Sequence, residues 1–228
     1  MSSNKLDEVR DLISEEKYHE SIVILNDLVA NEEEPILESL TLLGKVNLKI
    51  KNFEKSEIAF EKAFNIGKEY EIIRSNLLTF YAIYAEELKK KKDYILAIKY
   101  HDKLISLDKK NAYIHFCNKG ANYKFNNDIK NAKQCYETSI KLKENYIVAY
   151  LNLYEALKEE GEFEYGKKNL EKLIEVKNNE PKAYVDELSK KVIKKAYNSL
   201  LAMYYNLDNY SSYKKLLNEI IEYDKGIT

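Results

Sequence analysis

A short pattern of hydrophobic and polar positions recurs six times along the chain. In each copy a large aromatic or branched residue follows a polar or charged one, and a small residue usually comes three positions later. These large residues, called anchors below, are Tyr18, Phe53, Tyr94, Ile129, Phe163 and Tyr210. Their spacings are about 35, 41, 35, 34 and 47 residues. A recurring period of this size is typical of stacked helical repeats.

Around each anchor the pattern alternates helix, tight turn and helix. A polar residue before the second helix can accept a hydrogen bond from its free N–H groups, and the candidates for this N-cap role are Asn52, Asp93, Asp128 and Asn209. We therefore predict some twelve helices, about two per repeat, and no sheet.

The two long intervals between anchors predict two long helices. They exceed a period of about 34 residues by about 7 and 13 residues, near two and 3.6 helical turns. Insertions of that size lengthen a helix without rotating its apolar face much. Segments 70–91 and 181–206 are therefore predicted to be long helices, with Pro181 in the first turn of the second. A break within 184–200 would contradict this prediction.

The positions of small and large residues resemble the sequence pattern of the tetratricopeptide repeat family. Small residues such as Gly44 and Ser56 suit the close crossing of two helices, and large residues such as Phe60 fill the space against the next repeat. The segments that carry the resemblance most directly are 40–44 with 56–60, 116–123 with 132–136, and 150–153 with Phe163, Gly166 and Leu170.

The resemblance covers nearly the whole chain and implies an all-α fold, a right-handed superhelical solenoid of about six helix-turn-helix repeats. We predict a single domain, 1–228, with repeats at approximately 2–35, 37–70, 78–111, 113–146, 147–180 and 194–227. Val9, Leu201 and Tyr213 depart from the pattern, because these positions usually hold small residues. The related half-a-tetratricopeptide and pentatricopeptide repeats are the alternative assignments.

Composition supports helices and narrows the functional class. The chain has only 6 Gly and 2 Pro, fewer than an all-β protein needs for its turns. The net charge of −1 disfavours broad nucleic-acid binding, and no apolar run is long enough to cross a membrane. Two cysteines cannot form a disulfide framework and fit a reducing compartment, so a cytoplasmic location is predicted.

Candidate catalytic chemistry is sparse. His19, His101 and His115 lack the spacing of a metal motif, and Cys117 and Cys135 fit two packed thiols better than a redox pair. No glycine-rich phosphate loop is encoded. We therefore predict no catalytic residue, no metal site and no cofactor.

The resemblance implies that the first helix of each repeat lines an inner groove. Positions three and four apart share one helical face, and in the fourth and fifth repeats the upper half of this face is apolar. Lysines line its lower edge. The predicted partner-binding groove comprises Ile114, Cys117, Asn118, Ala121, Lys124, Val148, Leu151, Asn152, Glu155, Lys158, Lys89, Lys90 and Asn198. Alternatively, the long helix of the sixth repeat, or a second copy of the chain, covers this apolar patch.

The expected function is a non-enzymatic scaffold that binds a peptide or helix of a partner protein. We expect the bound segment to carry apolar side chains and flanking acids. A homo-oligomer of the chain is a further alternative. The alternatives are a sensor or regulatory subunit acting with an effector on another chain, and an accessory subunit of an enzyme complex.

Overall fold

The computed structural model describes residues 2–31, 36–180 and 183–224. This part of the chain contains twelve α-helices and no β-strand, as the sequence predicts. The helices are α1 (Ser2–Ser14), α2 (Tyr18–Ala30), α3 (Ile36–Lys49), α4 (Phe53–Ile66), α5 (Glu71–Lys90), α6 (Tyr94–Leu107), α7 (Ala112–Phe125), α8 (Ile129–Leu142), α9 (Ile147–Glu159), α10 (Phe163–Asn179), α11 (Glu187–Asn206) and α12 (Tyr210–Asp224). None of the described helices combines the length and apolarity that a membrane crossing requires.

The chain divides into two compact units, Met1–Lys92 and Asp93–Thr228. The first unit holds α1 to α5 and the second holds α6 to α12. Within each unit, helices that follow one another in the chain pack side by side. First helices of successive repeats also touch, α3 with α5 in the first unit, and α7 with α9 and α9 with α11 in the second. This neighbour-to-neighbour packing is typical of helical repeats.

The same turn precedes all six anchors. In each turn the residue two positions before the anchor has a positive φ, between 53° and 74°. Before Phe53, for example, the Lys51 N–H donates to the Leu48 carbonyl at 3.0 Å, and the Asn52 N–H donates to the Asn47 carbonyl at 2.8 Å. The residue that adopts this left-handed conformation at the end of a helix is usually glycine. Here it is glycine only in the fifth turn, and the six residues are Glu16, Lys51, Lys92, Asn127, Gly161 and Asp208.

The four predicted N-caps are confirmed. Each side chain accepts a hydrogen bond from the backbone N–H three residues later, at 3.5, 3.1, 3.2 and 3.1 Å for Asn52, Asp93, Asp128 and Asn209 respectively. The turn and the cap together orient the start of the second helix, because the turn fixes the backbone and the cap satisfies a free N–H.

Close helix crossings explain the small residues of the repeat. A Cβ placed on Gly44 would lie 2.8 Å from the Phe60 ring, and one placed on Gly120 would lie 2.7 Å from Cε1 of Tyr136. The Ser56 hydroxyl donates to the Gly44 carbonyl across the same crossing at 2.8 Å. A larger residue at either glycine would therefore push the two helices apart.

The two longest helices are α5 and α11, with 20 residues each. The first runs from Glu71 to Lys90, within the predicted segment. The predicted start of the second near residue 181 is wrong, because residues 183–186 are not α-helical and α11 begins at Glu187. Pro181 lies outside the described residues.

One local and one long-range hydrogen bond account for this later start. Asp186 is the N-cap of α11, and its Oδ1 accepts from the Ser189 N–H at 3.0 Å. Just before it, the buried Tyr184 hydroxyl donates to the Asn145 carbonyl at 2.9 Å. These contacts hold the preceding segment in a non-helical conformation.

Candidate partner-binding site

A cavity of about 580 Å³ lies along α9 and α11 in the second unit. One wall comes from α11, the other from the end of α9, and the first residue of α10 completes the lining. We call this cavity the α9–α11 cleft, and its lining residues are Tyr154, Lys158, Phe163, Lys191, Lys194, Lys195, Asn198, Ser199, Ala202, Met203 and Asn206.

Phe163 is an anchor that its neighbours leave uncovered. It is 58% exposed, whereas the anchors of the first four repeats, Tyr18, Phe53, Tyr94 and Ile129, are buried or half-buried. The wall of α11 presents small side chains at Ser199 and Ala202, which do not fill the cavity beside the ring. A large aromatic surface is therefore accessible at the edge of the cleft.

The cleft carries positive charge that the protein does not neutralise. Lys195 Nζ lies 3.0 Å from Glu155 Oε1. By contrast, Lys158, Lys191 and Lys194 have no carboxylate within 4.0 Å in the described part of the chain. An anionic group that entered the cleft would therefore meet lysines without a competing partner.

Two residues of the predicted groove prove to be core residues, which corrects the expected exposed apolar face. Cys117 is 1% exposed and packs with Ala132 and Leu153. Leu151 is 9% exposed and shares a buried cluster with Ile193 and other residues of α11. Leu151 is covered because α11 packs on α9, whereas Cys117 is covered by residues of α8 and α9.

Other positions of the predicted groove are more accessible. Half-buried positions are Ile114, Ala121, Val148 and Asn152, and exposed positions are the amides Asn118 and Asn198 and the charged Lys158. The Asn152 side-chain amide donates to Cys117 Sγ at 3.3 Å, so it contributes to packing inside the second unit. Of the predicted set, Lys158 and Asn198 line the cleft.

Most predicted charged positions are paired. In the second unit, Lys124 Nζ lies 2.9 Å from Glu159, and Glu155 pairs with Lys195. In the first unit, Lys89 pairs with Glu86 at 2.9 Å and Lys90 with Glu87 at 2.7 Å. These lysines are therefore less available to a partner than Lys158.

Sequence reasoning did not assign Phe163, Lys191 or Lys194 to the site. In the sequence, Lys190–Lys191 and Lys194–Lys195 recur one helical turn apart and could form a basic stripe, but Asp186 and Glu187 suggest that the stripe is interrupted. In the structure Asp186 caps α11 and Glu187 pairs with Lys190 at 3.5 Å. Both acids act at the helix start, and neither lines the cleft.

The buried thiols are poor nucleophiles at neutral pH. Burial raises the pKa of Cys117 to about 11, and burial likewise raises the pKa of Cys135 to about 11. Because the thiolate is the reactive form, both side chains stay protonated and unreactive. Within the described ranges, no three His, Cys, Asp or Glu side chains form a group that could hold a metal ion.

Comparisons with known proteins agree with the repeat fold. A family model described as tetratricopeptide repeat matches residues 37–69 and 116–146. No curated protein sequence matches the chain.

Among solved structures, BtubC from P. vanneervenii is 13% identical, with a TM-score of 0.55 over 96% of this chain and 92% of that one. A MamA structure is 16% identical, with a TM-score of 0.52 over 81% of this chain and 96% of that one. At these identities the likeness concerns the fold.

Proposed function

We propose that the chain, which is all-α and has two segments that match a tetratricopeptide-repeat model, is a non-enzymatic interaction scaffold whose α9–α11 cleft binds a short segment of a partner protein. The observation that carries the proposal is the exposed Phe163 ring beside an open cavity. Exposed aromatic surface next to a cavity favours a contact site, because burying an aromatic side chain is among the largest contributions to binding.

The lining residues define the chemistry of the bound segment. Phe163 and Met203 offer apolar surface to one large apolar side chain. Lys158, Lys191 and Lys194 favour carboxylates on either side of it. The segment is therefore acidic and carries at least one large apolar residue.

The two kinds of contact contribute differently. An exposed ion pair contributes about 0.2–1 kcal/mol, so the lysines mainly select the charge of the segment and speed its approach. The apolar contact supplies more of the affinity, since a well-packed aromatic anchor contributes about 2 kcal/mol or more. We expect a dissociation constant on the order of micromolar, because the segment must lose its freedom on binding.

Composition and burial support a proposed location and partner class. Two buried free cysteines are compatible with a reducing compartment, and we propose a cytoplasmic location. The net charge of −1 favours a protein partner over a nucleic acid.

A defined peptide tests the proposal. The probe is the capped peptide EELLEELLE, and its neutral counterpart QQLLQQLLQ reports the contribution of charge. By calorimetry we expect the full chain to bind the acidic probe, with about thirtyfold weaker binding at the cleft after Phe163→Ala, which corresponds to about 2 kcal/mol. The double variant Lys191→Glu with Lys194→Glu should bind at least tenfold more weakly there, because it reverses the local charge.

The matched control places the same substitutions elsewhere in the second unit. Lys130→Glu with Lys214→Glu changes two exposed lysines outside the cleft lining and should leave the affinity unchanged. Equal binding by wild type, Phe163→Ala and the charge-reversed cleft variant would show that the cleft is not the binding site.

A further inference from the structure

A second cavity, of about 390 Å³, lies along α3 and α5 in the first unit. We call it the α3–α5 pocket, and its lining residues are Lys45, Leu48, Lys49, Lys51, Phe53, Ile83 and Glu87. It occupies the same place in its repeats as the α9–α11 cleft, between two successive first helices and beside the anchor that starts the intervening second helix. Its composition is also similar, apolar at the floor and rich in lysine at the rim.

The floor of the pocket is formed by packed aromatic rings. The Phe53 and Tyr84 rings are stacked, with centroids 4.5 Å apart and planes 8° apart. Ile83, on the wall formed by α5, remains 41% exposed, and Leu48 is half-buried on the opposite wall. An apolar side chain placed between Leu48 and Ile83 would bury surface on both walls without moving the ring pair.

The rim of the pocket has an excess of positive charge. Lys45 and Lys49 are exposed, and neither has a carboxylate within 4.0 Å among the residues that the structure describes. Lys51 reaches Glu87 only at 4.0 Å, and Lys91 lies over the Phe53 ring with Nζ 5.8 Å from its centroid.

Glu87 does not neutralise this rim. Its carboxylate already accepts a hydrogen bond from Lys90 at 2.7 Å, which holds the pKa of Glu87 below its ordinary value. The lysines at the rim therefore outnumber the single paired carboxylate, and an acidic ligand complements them.

From this arrangement we propose that the α3–α5 pocket is a second docking site, for an acidic protein segment with one large apolar side chain between its carboxylates. The inference rests on the proposed scaffold function, but not on the α9–α11 cleft. The apolar side chain lies between Leu48 and Ile83, and the carboxylates face Lys45, Lys49 and Lys51. The chain then binds two acidic segments, one in each unit.

Methyl NMR on the full chain distinguishes the two sites. The chain has two methionines, Met1 and Met203, and Met203 lines the cleft, whereas Ile83 lines the pocket. We expect both the Ile83 and the Met203 methyl signals to shift and saturate as the EELLEELLE peptide is added. In the Phe163→Ala variant the Ile83 shift should remain while the Met203 shift weakens.

Charge variants test the rim. The double variant Lys45→Gln with Lys49→Gln should weaken peptide binding at the α3–α5 pocket, followed through the Ile83 signal, about fivefold. Binding at the α9–α11 cleft, followed through the Met203 signal, should stay unchanged. Lys68→Gln removes an exposed lysine that is not part of the pocket and should change neither. The neutral peptide QQLLQQLLQ should shift Ile83 more weakly than the acidic one.

Other outcomes separate the two proposals. An Ile83 signal that does not move with the acidic peptide overturns the second site, whatever happens at Met203. An Ile83 shift that disappears in Phe163→Ala also overturns it, because the sites are then not independent. A shift at Ile83 without one at Met203 supports the second site and refutes the cleft. A concentration-dependent Ile83 shift without peptide would assign the pocket to a second copy of the chain.

Discussion

Phe53 and Phe163 begin equivalent second helices, yet one ring is covered and the other is open. Phe53 is 8% exposed because Tyr84 stacks on it, and Phe163 is 58% exposed at the edge of the α9–α11 cleft. Tyr84 lies six positions before the last residue of α5, Lys90, whereas the same position of α11, which ends at Asn206, is Leu200. Leu200 is 1% exposed and packs inward.

The comparison shows that the repeat motif fixes the place of the anchor but not its role. The turn before both phenylalanines has the same hydrogen-bond pattern and a residue of positive φ. The next first helix determines whether the anchor is part of the core or part of a surface. A single ring at Tyr84 therefore accounts for much of the difference between the two regions.

The largest expected effect is a loss of stability caused by a substitution in α9, which forms one wall of the α9–α11 cleft. Leu151→Glu should lower the free energy of unfolding by about 4 kcal/mol, because it removes a buried leucine and places a charge in an apolar cluster. Urea denaturation followed by circular dichroism measures this. The same substitution at Leu142, which is 54% exposed, should cost less than about 0.5 kcal/mol. Equal stability of the two variants would place Leu151 on an open surface instead.

Truncating the two anchors tests the comparison directly. Phe53→Ala should cost about 3 kcal/mol, because it leaves a cavity beneath Tyr84. Phe163→Ala should change stability by less than about 0.5 kcal/mol, because the ring is mostly solvated. Both values come from thermal and urea unfolding. If the two variants lose the same stability, the anchors have the same structural role and the comparison fails.

Alkaline pH should distinguish the two units. Both cysteines lie in the second unit, and burial raises the pKa of Cys117 from 9.0 to about 11. Between these values the unfolded chain has lost a proton that the folded chain keeps, so stability falls as pH rises. The slope for Cys117 is on the order of 1.4 kcal/mol per pH unit.

Hydrogen exchange and urea unfolding between pH 8 and 11 measure this loss. The second unit should lose protection before the first, and Cys117→Ala should make the pH dependence shallower. Earlier loss of protection in the first unit would contradict the assignment of the buried thiols as the cause.

The smallest effects concern the turns before the two anchors. Lys51 has φ 60° and Gly161 has φ 74°. Lys51→Gly should raise the free energy of unfolding by about 0.5 kcal/mol, because glycine adopts the left-handed conformation without steric cost. Gly161→Ala should lower it by about 1 kcal/mol for the opposite reason. Differential scanning calorimetry resolves both changes, and shifts of the same sign would contradict the shared turn geometry.

Much of the fold could be predicted because its determinants are local. The anchors, the N-caps and the small residues at Gly44 and Gly120 follow from spacing and sterics within about 34 residues. The two segments that match the family model contain these two glycines. Most turns use other residues than glycine at the left-handed position, so they carry a weaker signal in the sequence.

The candidate site was harder to predict because it depends on how one helix packs on another. The later start of α11 follows from contacts of Tyr184 and Asp186, which periodicity does not reveal. The burial of Leu151 likewise depends on the packing of α11 on α9. Phe163 is exposed because α11 has the inward-packed Leu200 at the position where α5 has Tyr84. The binding role of the groove residues stays a prediction.

The local hydrogen bonds of the six turns have a consequence during protein synthesis. Each turn closes with bonds between residues only a few positions apart, so no distant part of the chain is needed. Helical proteins with mostly local contacts fold in microseconds to milliseconds, whereas a ribosome adds about 5–20 residues per second. One helix pair of about 34 residues thus takes roughly 2–7 seconds to emerge. We expect the early helix pairs to form while later ones are still being translated.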